Sequence, residues 1–164
     1  MDAMTDFALV TGAGSGIGAA LATELSRRGV GVILVGRRQE ALDQTRASLP
    51  TGASAFVMPT DIAEAEDRER LIQSVTQRLE ASGHRLRYLV HNAGVGEPAT
   101  GFEGMNPDDL MHALAVNVTA PLALTQQLMP ALRQAEDSRV LFVGAGIADR
   151  PQPGTGSYGI SKKA

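Results

Sequence analysis

A tyrosine and a lysine stand four residues apart near the carboxyl end, in Ser157-Tyr158-Gly159-Ile160-Ser161-Lys162. On an α-helix, residues at i and i+4 lie on one face, so the sequence predicts that Tyr158 and Lys162 are neighbours. A nearby ammonium favours the phenolate, which makes the phenol a better proton donor or acceptor near neutral pH. The pattern is common in unrelated proteins, so its meaning depends on what precedes it.

A glycine cluster near the amino end runs from Thr11 to Gly18, between an apolar run at 7–10 and a stretch with helical spacing. This order predicts a strand, a tight turn and a helix. Glycines let a ligand approach the backbone, and the free N–H groups at a helix start favour a phosphate. We expect these residues to bind a nucleotide cofactor: Gly12, Ser15, Gly16, Ile17 and Gly18. The alternative is a glycine-rich turn without a ligand.

The helix after this turn is predicted to place Ile17, Leu21 and Leu25 on one face and to stop at Gly29. Residues 30–35 are nearly all apolar, as in a parallel strand covered on both faces. Gly36-Arg37-Arg38 follows, where many dinucleotide-binding folds place an acidic residue for the ribose hydroxyls. Two guanidiniums suit a 2′-phosphate, which favours NADP over NAD. The alternative is an exposed basic start of a helix, predicted at 40–49.

Two further strands, at 53–58 and 86–90, each lead into candidate cofactor residues. Asp61 and Ile62 follow the first. The Asp61 carboxylate either caps the helix predicted at 63–82 or accepts a bond from an adenine amino group, and the two roles are compatible. His91-Asn92-Ala93-Gly94 follows the second strand. Ala93 and Gly94 would let a cofactor lie against the backbone, and the Asn92 amide can cross-link neighbouring strands or loops.

A long helical stretch at 108–134 follows a loop at 98–107, which we expect at the substrate side. The stretch is interrupted by Asn117-Val118-Thr119-Ala120-Pro121. Pro121 has no backbone N–H, so it leaves the Asn117 carbonyl free to hold a water or a cation. The alternative is a kink that only shapes packing. A fifth strand is predicted at 139–143.

Composition narrows the function classes. The chain has 164 residues, of which 43% are hydrophobic and 20% charged, with a net charge of −3 and no cysteine. These values suit one domain spanning 1–164, give no electrostatic reason to expect nucleic acid, and exclude thiolate sites. The three histidines lack metal-ligand spacing, so no metal is expected. We see neither a signal peptide nor a membrane span, and expect a cytoplasmic location.

Taken together, Thr11–Gly18, Asn92-Ala93-Gly94, Asn117 and the Tyr158/Lys162 pair resemble the short-chain dehydrogenase/reductase family, and within it the sepiapterin- and benzil-reductase-like branch. The resemblance implies an α/β fold, a Rossmann-type doubly wound parallel sheet in three layers, with NADP across the carboxyl ends of the strands. It also implies that Tyr158 is the general acid in reduction, that Lys162 binds the nicotinamide ribose, and that Asn117 holds the water of a proton relay.

The chain departs from the family pattern at three places. His91 stands where the family usually has a first asparagine, which we expect to have little effect because a polar residue is kept. Ala145 stands at the position of the catalytic serine, thirteen residues before the tyrosine, and a methyl group cannot donate a hydrogen bond. Ser157 is close enough to test as a substitute. The sequence stops at Ala164, so we expect the family's last strands to be absent and the fifth strand to be an apolar sheet edge.

These features predict an NADP-dependent oxidoreductase that reduces a small ketone, aldehyde or diketone by hydride transfer. Ala145 and the early stop favour an alternative, a dinucleotide-binding protein or inactive fragment without turnover. Since family members often dimerise through the helices at 108–134 and after Tyr158, we also expect a homo-oligomer.

Overall fold

The computed structural model describes residues 5–96, 102–150 and 152–164. Its centre is a five-stranded parallel sheet in the order β3-β2-β1-β4-β5. The strands are β1 (Asp6–Thr11), β2 (Gly31–Gly36), β3 (Ala55–Pro59), β4 (Arg85–His91) and β5 (Arg139–Phe142). The chain moves outward from β1 first in one direction and then in the other, so the sheet is doubly wound, as predicted.

Helices connect the strands and cover both faces of the sheet. They are α1 (Gly16–Arg27), α2 (Gln39–Ala47), α3 (Ala65–Ser82), α4 (Pro107–Leu114), α5 (Ala120–Leu132) and α6 (Gly156–Lys163). Two short 3₁₀ turns lie at Phe102–Gly104 and Gly146–Ala148, and a π-helical segment at Ala115–Thr119 joins α4 to α5. The result is the predicted three-layer α/β/α arrangement.

The core divides into two layers because successive side chains of a strand point to opposite faces. In β1, Phe7 and Leu9 pack in the layer of α3 and α5, whereas Ala8 and Val10 pack in the layer of α1 and α2. All four are fully buried. The continuous apolar run of this strand therefore follows from its central position, with helices on both sides.

The buried face of α1 differs from the predicted one. Ile17 is 61% exposed and Leu21 and Leu25 are only partly buried, whereas Gly18, Ala22 and Ser26 are buried. The helix approaches the sheet through small residues, so its larger apolar side chains are left at the margin. The predicted stop is confirmed, since Gly29 follows the helix with φ +78.

Gly18 shows how close this approach is. A Cβ built at Gly18 would lie 2.2 Å from the Gly12 carbonyl oxygen and 2.5 Å from Asn92 Nδ2. Both neighbours lie at the carboxyl edge of the sheet, and Asn92 Nδ2 is hydrogen-bonded to the Gly12 carbonyl oxygen at 3.3 Å. A hydrogen atom at this position is therefore a steric requirement of the turn.

The remaining element boundaries differ by at most two residues from those predicted. α2 ends at Ala47 instead of 49, and α3 begins at Ala65 instead of 63. The later start has a local cause: the Asp61 carboxylate accepts a hydrogen bond from the Ala63 N–H at 3.0 Å, which closes a turn before the helix begins. Asp61 thus does not cap α3, whose first flanking residue is Glu64.

Two other predictions concern the periphery. β5 is the outermost strand of the described sheet, and Leu141 and Phe142 are 46% and 64% exposed, so the apolar edge is confirmed. The predicted loop at 98–107 lies partly outside the described residues. Its described end includes Asn106, whose side chain accepts from the Asp108 N–H at 3.0 Å and so caps α4. Within the described ranges, no helix has the length and apolar character needed to cross a membrane.

Gly18→Ala should lower the free energy of unfolding by about 2 kcal/mol, because the added methyl forces two turns apart. Urea denaturation measures the change. Gly144→Ala is the matched control, since a Cβ there meets nothing within 4 Å. Equal effects of the two substitutions would contradict a close approach at Gly18.

Candidate cofactor and active site

The carboxyl ends of β1, β2, β3 and β4 surround a cleft of about 310 Å³. It lies where the strand order reverses direction, the usual ligand position in open parallel sheets. Nine of the predicted cofactor residues line it: Gly12, Ser15, Arg37, Arg38, Asp61, Ile62, Asn92, Ala93 and Gly94. The structure thus brings together residues that are up to 82 positions apart in the chain.

The floor of the cleft is made by two turns fixed against each other. Asn92 Nδ2 donates to the Thr11 carbonyl at 3.0 Å and to the Gly12 carbonyl at 3.3 Å. The Thr11 hydroxyl accepts from the N–H groups of Asn92 and Ala93, both at 3.1 Å. The predicted cross-linking by Asn92 is therefore present, between the turn after β1 and the loop after β4.

Three glycine-motif residues lie outside the cleft wall. Gly18 packs against the Gly12 carbonyl, whereas Ile17 is exposed at the start of α1. Gly16 has φ +54 and open space where a Cβ would stand, so the backbone is accessible there. These three remain predicted cofactor residues.

The end of β2 supplies positive charge. Arg37 and Arg38 are exposed and line the cleft, and neither forms an ion pair with any residue in the described part of the chain. The cleft wall after β3 holds Thr60 and Asp61. Two uncompensated guanidiniums at the rim are therefore available to an anionic ligand.

The predicted interruption at Asn117 is a π-helical segment, in which the Ala120 N–H donates to the Ala115 carbonyl five residues earlier. Such segments widen the helix locally and often occur at functional sites. The Asn117 side chain points to the loop after β4: its Oδ1 accepts from the Val95 N–H at 3.0 Å, and its Nδ2 donates to the Val95 carbonyl at 2.9 Å. The role of the Asn117 carbonyl in holding water stays a prediction.

Tyr158 and Lys162 share a face of α6, as the i, i+4 spacing predicts. Lys162 Nζ lies 5.8 Å from the centroid of the Tyr158 ring and donates to the Val143 carbonyl at 3.2 Å. Burial lowers the pKa of Lys162, because the charged form is partly removed from water. Lys162 and Asn117 also line a second cavity, of about 330 Å³, beside β5.

The loop after β4 packs directly beneath this pair. A Cβ at Gly94 would lie 3.3 Å from Asn117 Oδ1 and 3.4 Å from Lys162 Nζ, and one at Gly96 would lie 3.2 Å from the Tyr158 ring. The loop therefore connects the cleft to Tyr158 and Lys162.

Ala145 follows β5 in extended backbone, with φ −140 and ψ 139, and leads into the second 3₁₀ turn. Its side chain offers no hydrogen-bond donor. Ser161 is not available as a substitute, because its hydroxyl bonds to the Tyr158 carbonyl and to Asn117. Ser157 is buried and lies one turn before Ser161 on the same face of α6.

Some cleft residues were not predicted. Thr60, Val95 and Val116 line it together with Val35 and Gly36. Thr60 directly precedes Asp61, and Val95 directly follows Gly94, so adjacency to predicted residues was an available signal. Val116 had none, because its position depends on the path of α4 and α5. Among the described residues, no three histidine or acidic side chains are grouped so that they would hold a metal ion.

His91 is 4% exposed, and its Nε2 lies 2.8 Å from Thr125 Oγ1 on α5. Its Nδ1 has no hydrogen-bond partner, and its ring packs against Phe142 with centroids 4.8 Å apart. Burial lowers its pKa from 6.5 to about 4. His91 is therefore a buried group that titrates and has one side-chain polar contact.

This burial predicts acid sensitivity. His91 takes up a proton near pH 6.5 in the unfolded chain but only near pH 4 in the folded chain. The free energy of unfolding therefore falls as the pH falls from 6.5 to about 4. At 1.36 kcal/mol per pKa unit, the loss is about 3 kcal/mol. His91→Asn should remove this part of the pH dependence in urea denaturation, with His112→Asn as the control. Parallel curves for unaltered protein and His91→Asn would contradict it.

The chain matches known proteins over nearly all of its length. A model of the short chain dehydrogenase family matches residues 6–164. The human protein named dehydrogenase/reductase SDR family member 2, mitochondrial, is 35% identical over 158 residues, which are 96% of this chain and 55% of the human one. The chain spans about half to three fifths of the length of the curated relatives it matches.

The chain is also similar to solved structures of an oxidoreductase and a reductase. The chain is 30% identical to a metagenomic short-chain oxidoreductase in complex with NADP, with a TM-score of 0.86, covering 97% of this chain and 71% of that one. It is 26% identical to the 3-ketoacyl-(acyl-carrier-protein) reductase from Brucella melitensis complexed with NADH, also with a TM-score of 0.86, covering 98% and 65%. With its glycine turn, doubly wound sheet and Tyr158/Lys162 pair, this chain belongs to the short-chain dehydrogenase family of oxidoreductases.

Proposed function

We propose that this protein is an NADP-dependent oxidoreductase that reduces a small ketone, aldehyde or diketone by hydride transfer. The observation that carries the cofactor choice is the pair Arg37 and Arg38, both at the cleft and both without an ion-pair partner in the described chain. The Tyr158/Lys162 pair supports the chemistry.

The residues of the cleft fit a dinucleotide. Open space at Gly16 leaves the start of α1 accessible to a pyrophosphate, and Arg37 and Arg38 would hold the 2′-phosphate. Asp61 and Ile62 would flank the adenine, while Ala93 and Gly94 present backbone to the rest of the cofactor. Bound NADPH would supply the hydride. A similar protein has been solved in complex with NADH. The choice of NADP over NAD therefore rests on the two arginines.

Proton transfer would then fall to α6. Tyr158 donates the proton to the carbonyl oxygen as that oxygen gains negative charge. Lys162, partly buried beside Tyr158, would bind the nicotinamide ribose. The Asn117 carbonyl would hold a water through which the proton is replaced. These roles follow the family pattern at matching positions.

A second candidate function is dinucleotide binding without turnover. It is favoured by Ala145, since a donor to the substrate oxygen is missing where the family has serine. We keep the sepiapterin- and benzil-reductase-like branch as a proposal for substrate class. Exposed Met111 on α4 and Leu122 on α5, at 64% and 56%, support a homo-oligomer through these helices.

The cofactor proposal predicts a reversal of preference. Replacing Arg37 and Arg38 with alanine together with Gly36→Asp should weaken NADPH and improve NADH binding, each by more than about tenfold, because charge-assisted phosphate contacts are lost and a ribose acceptor is gained. Fluorescence titration measures both. Arg46→Ala, an exposed arginine of α2 outside the cleft, is the control. Equal affinity of the unaltered protein for NADH and NADPH would refute the proposal.

Ala145→Ser should raise turnover of a diketone by about 10²–10³-fold, because a donor at the developing oxyanion stabilises the transition state more than the ground state. NADPH affinity should stay nearly unchanged, since position 145 does not line the cofactor cleft. Steady-state kinetics and NADPH titration separate the two effects. NADPH binding with no turnover in either protein would select the second candidate function.

A further inference from the structure

The Asn117 side-chain amide forms three hydrogen bonds, and together they fix its orientation. Nδ2 donates to the Val95 carbonyl at 2.9 Å and to Ser161 Oγ at 2.8 Å, while Oδ1 accepts from the Val95 N–H at 3.0 Å. A flipped amide would place its NH₂ against the Val95 N–H, where two donors repel. The two bonds to Val95 thus fix the positions of Oδ1 and Nδ2, and Ser161 accepts a hydrogen bond from the second Nδ2 proton.

Ser161 can accept from Asn117 because its own proton is committed elsewhere. Its Oγ donates to the Tyr158 carbonyl at 2.9 Å, and the residue is 3% exposed. A hydroxyl has one proton to donate and lone pairs to accept with. The two hydrogen bonds therefore form a chain with a fixed direction. Asn117 donates to Ser161, and Ser161 donates to the Tyr158 carbonyl.

We propose that Ser161 is a positioning residue that holds the Asn117 amide and ties α6 to the loop after β4. This proposal rests on the function proposed above and adds a residue to it. Tyr158 and Lys162 lie on either side of Ser161 in the sequence, and the loop it is tied to contacts both: Gly96 lies against the Tyr158 ring and Gly94 against Lys162 Nζ. The tether sets the position of the proton donor relative to the cleft.

Removing the Ser161 hydroxyl leaves one part-buried Nδ2 proton of Asn117 without its protein acceptor, which costs the free energy of that hydrogen bond. The amide then gains freedom to rotate away from Val95, and α6 loses its side-chain link to the loop. The backbone of α6 keeps its own hydrogen bonds, so the helix itself should remain.

The test follows the Asn117 amide directly. The chain has three asparagines, Asn92, Asn106 and Asn117, so selective ¹⁵N-asparagine labelling yields three side-chain amides in the NMR spectrum. In Ser161→Ala, the Asn117 amide protons should exchange with water about tenfold faster. The Asn92 amide, which bonds to Thr11 and Gly12, should not change. A general loosening of the protein would accelerate both, which would overturn a specific tether.

Two variants sharpen this result. Ser48→Ala removes a hydroxyl bond of the same kind, from Ser48 Oγ to the carbonyl three residues earlier at 2.7 Å, at the end of α2, and should leave Asn117 exchange unchanged. Ser161→Thr keeps a hydroxyl and should restore slow exchange. Unchanged exchange in Ser161→Ala would overturn the proposal.

Kinetics then test the catalytic consequence separately. Ser161→Ala should lower kcat about tenfold and leave the dissociation constant for NADPH within about twofold, because Ser161 does not line the cofactor cleft. Ser161→Thr should restore kcat. An unchanged kcat would overturn the positioning role, even if the exchange result stands. If the unaltered protein oxidises no NADPH with any carbonyl, the proposed function fails, and the exchange experiment alone decides the tether.

Discussion

The site depends on how the five residues 92–96 are held at the end of β4. Asn92 fixes the beginning of this segment to the turn after β1 through the Thr11 and Gly12 carbonyls. Asn117 fixes the middle of it by bonding both polar groups of the Val95 backbone. Asn92 thus pairs with carbonyls at the end of β1 and in the turn after it, whereas Asn117 pairs with backbone groups of a loop that has no regular secondary structure. These hydrogen bonds restrain the loop at both positions.

The loop after β4 also packs closely against the glycine turn and against α6. Gly12 approaches Ala93 so closely that a Cβ would lie 2.9 Å from the Ala93 Cα, and Gly94 and Gly96 allow Lys162 and the Tyr158 ring to approach from the other side. The loop after β4 is therefore in close contact with the glycine turn on one side and with α6 on the other. A cofactor held at the glycine turn and a proton donor carried by α6 would share one framework.

Charge is distributed differently at the two ends of the site. Arg37 and Arg38 are exposed, where a charge keeps its hydration until an anion arrives. Lys162 is partly buried, with one carbonyl partner, and burial lowers its pKa. Exposed cations suit the recognition of a phosphate, whereas a desolvated ammonium acts strongly on the group beside it because the local dielectric is low. In the proposed function, the exposed charges would bind the cofactor and the partly buried charge would assist proton transfer.

The order of strands, turns and helices was determined by the sequence itself, because apolar runs and glycines act locally. So was the shared face of Tyr158 and Lys162, which needs only a helix. The tertiary structure alone decided which face of α1 is buried: the distance between helix and sheet selected Gly18 and Ala22 over Ile17. It also decided that Asn117 meets Val95 and Ser161, 22 and 44 residues away. No local pattern encodes these contacts, since they arise only when separate elements pack side by side.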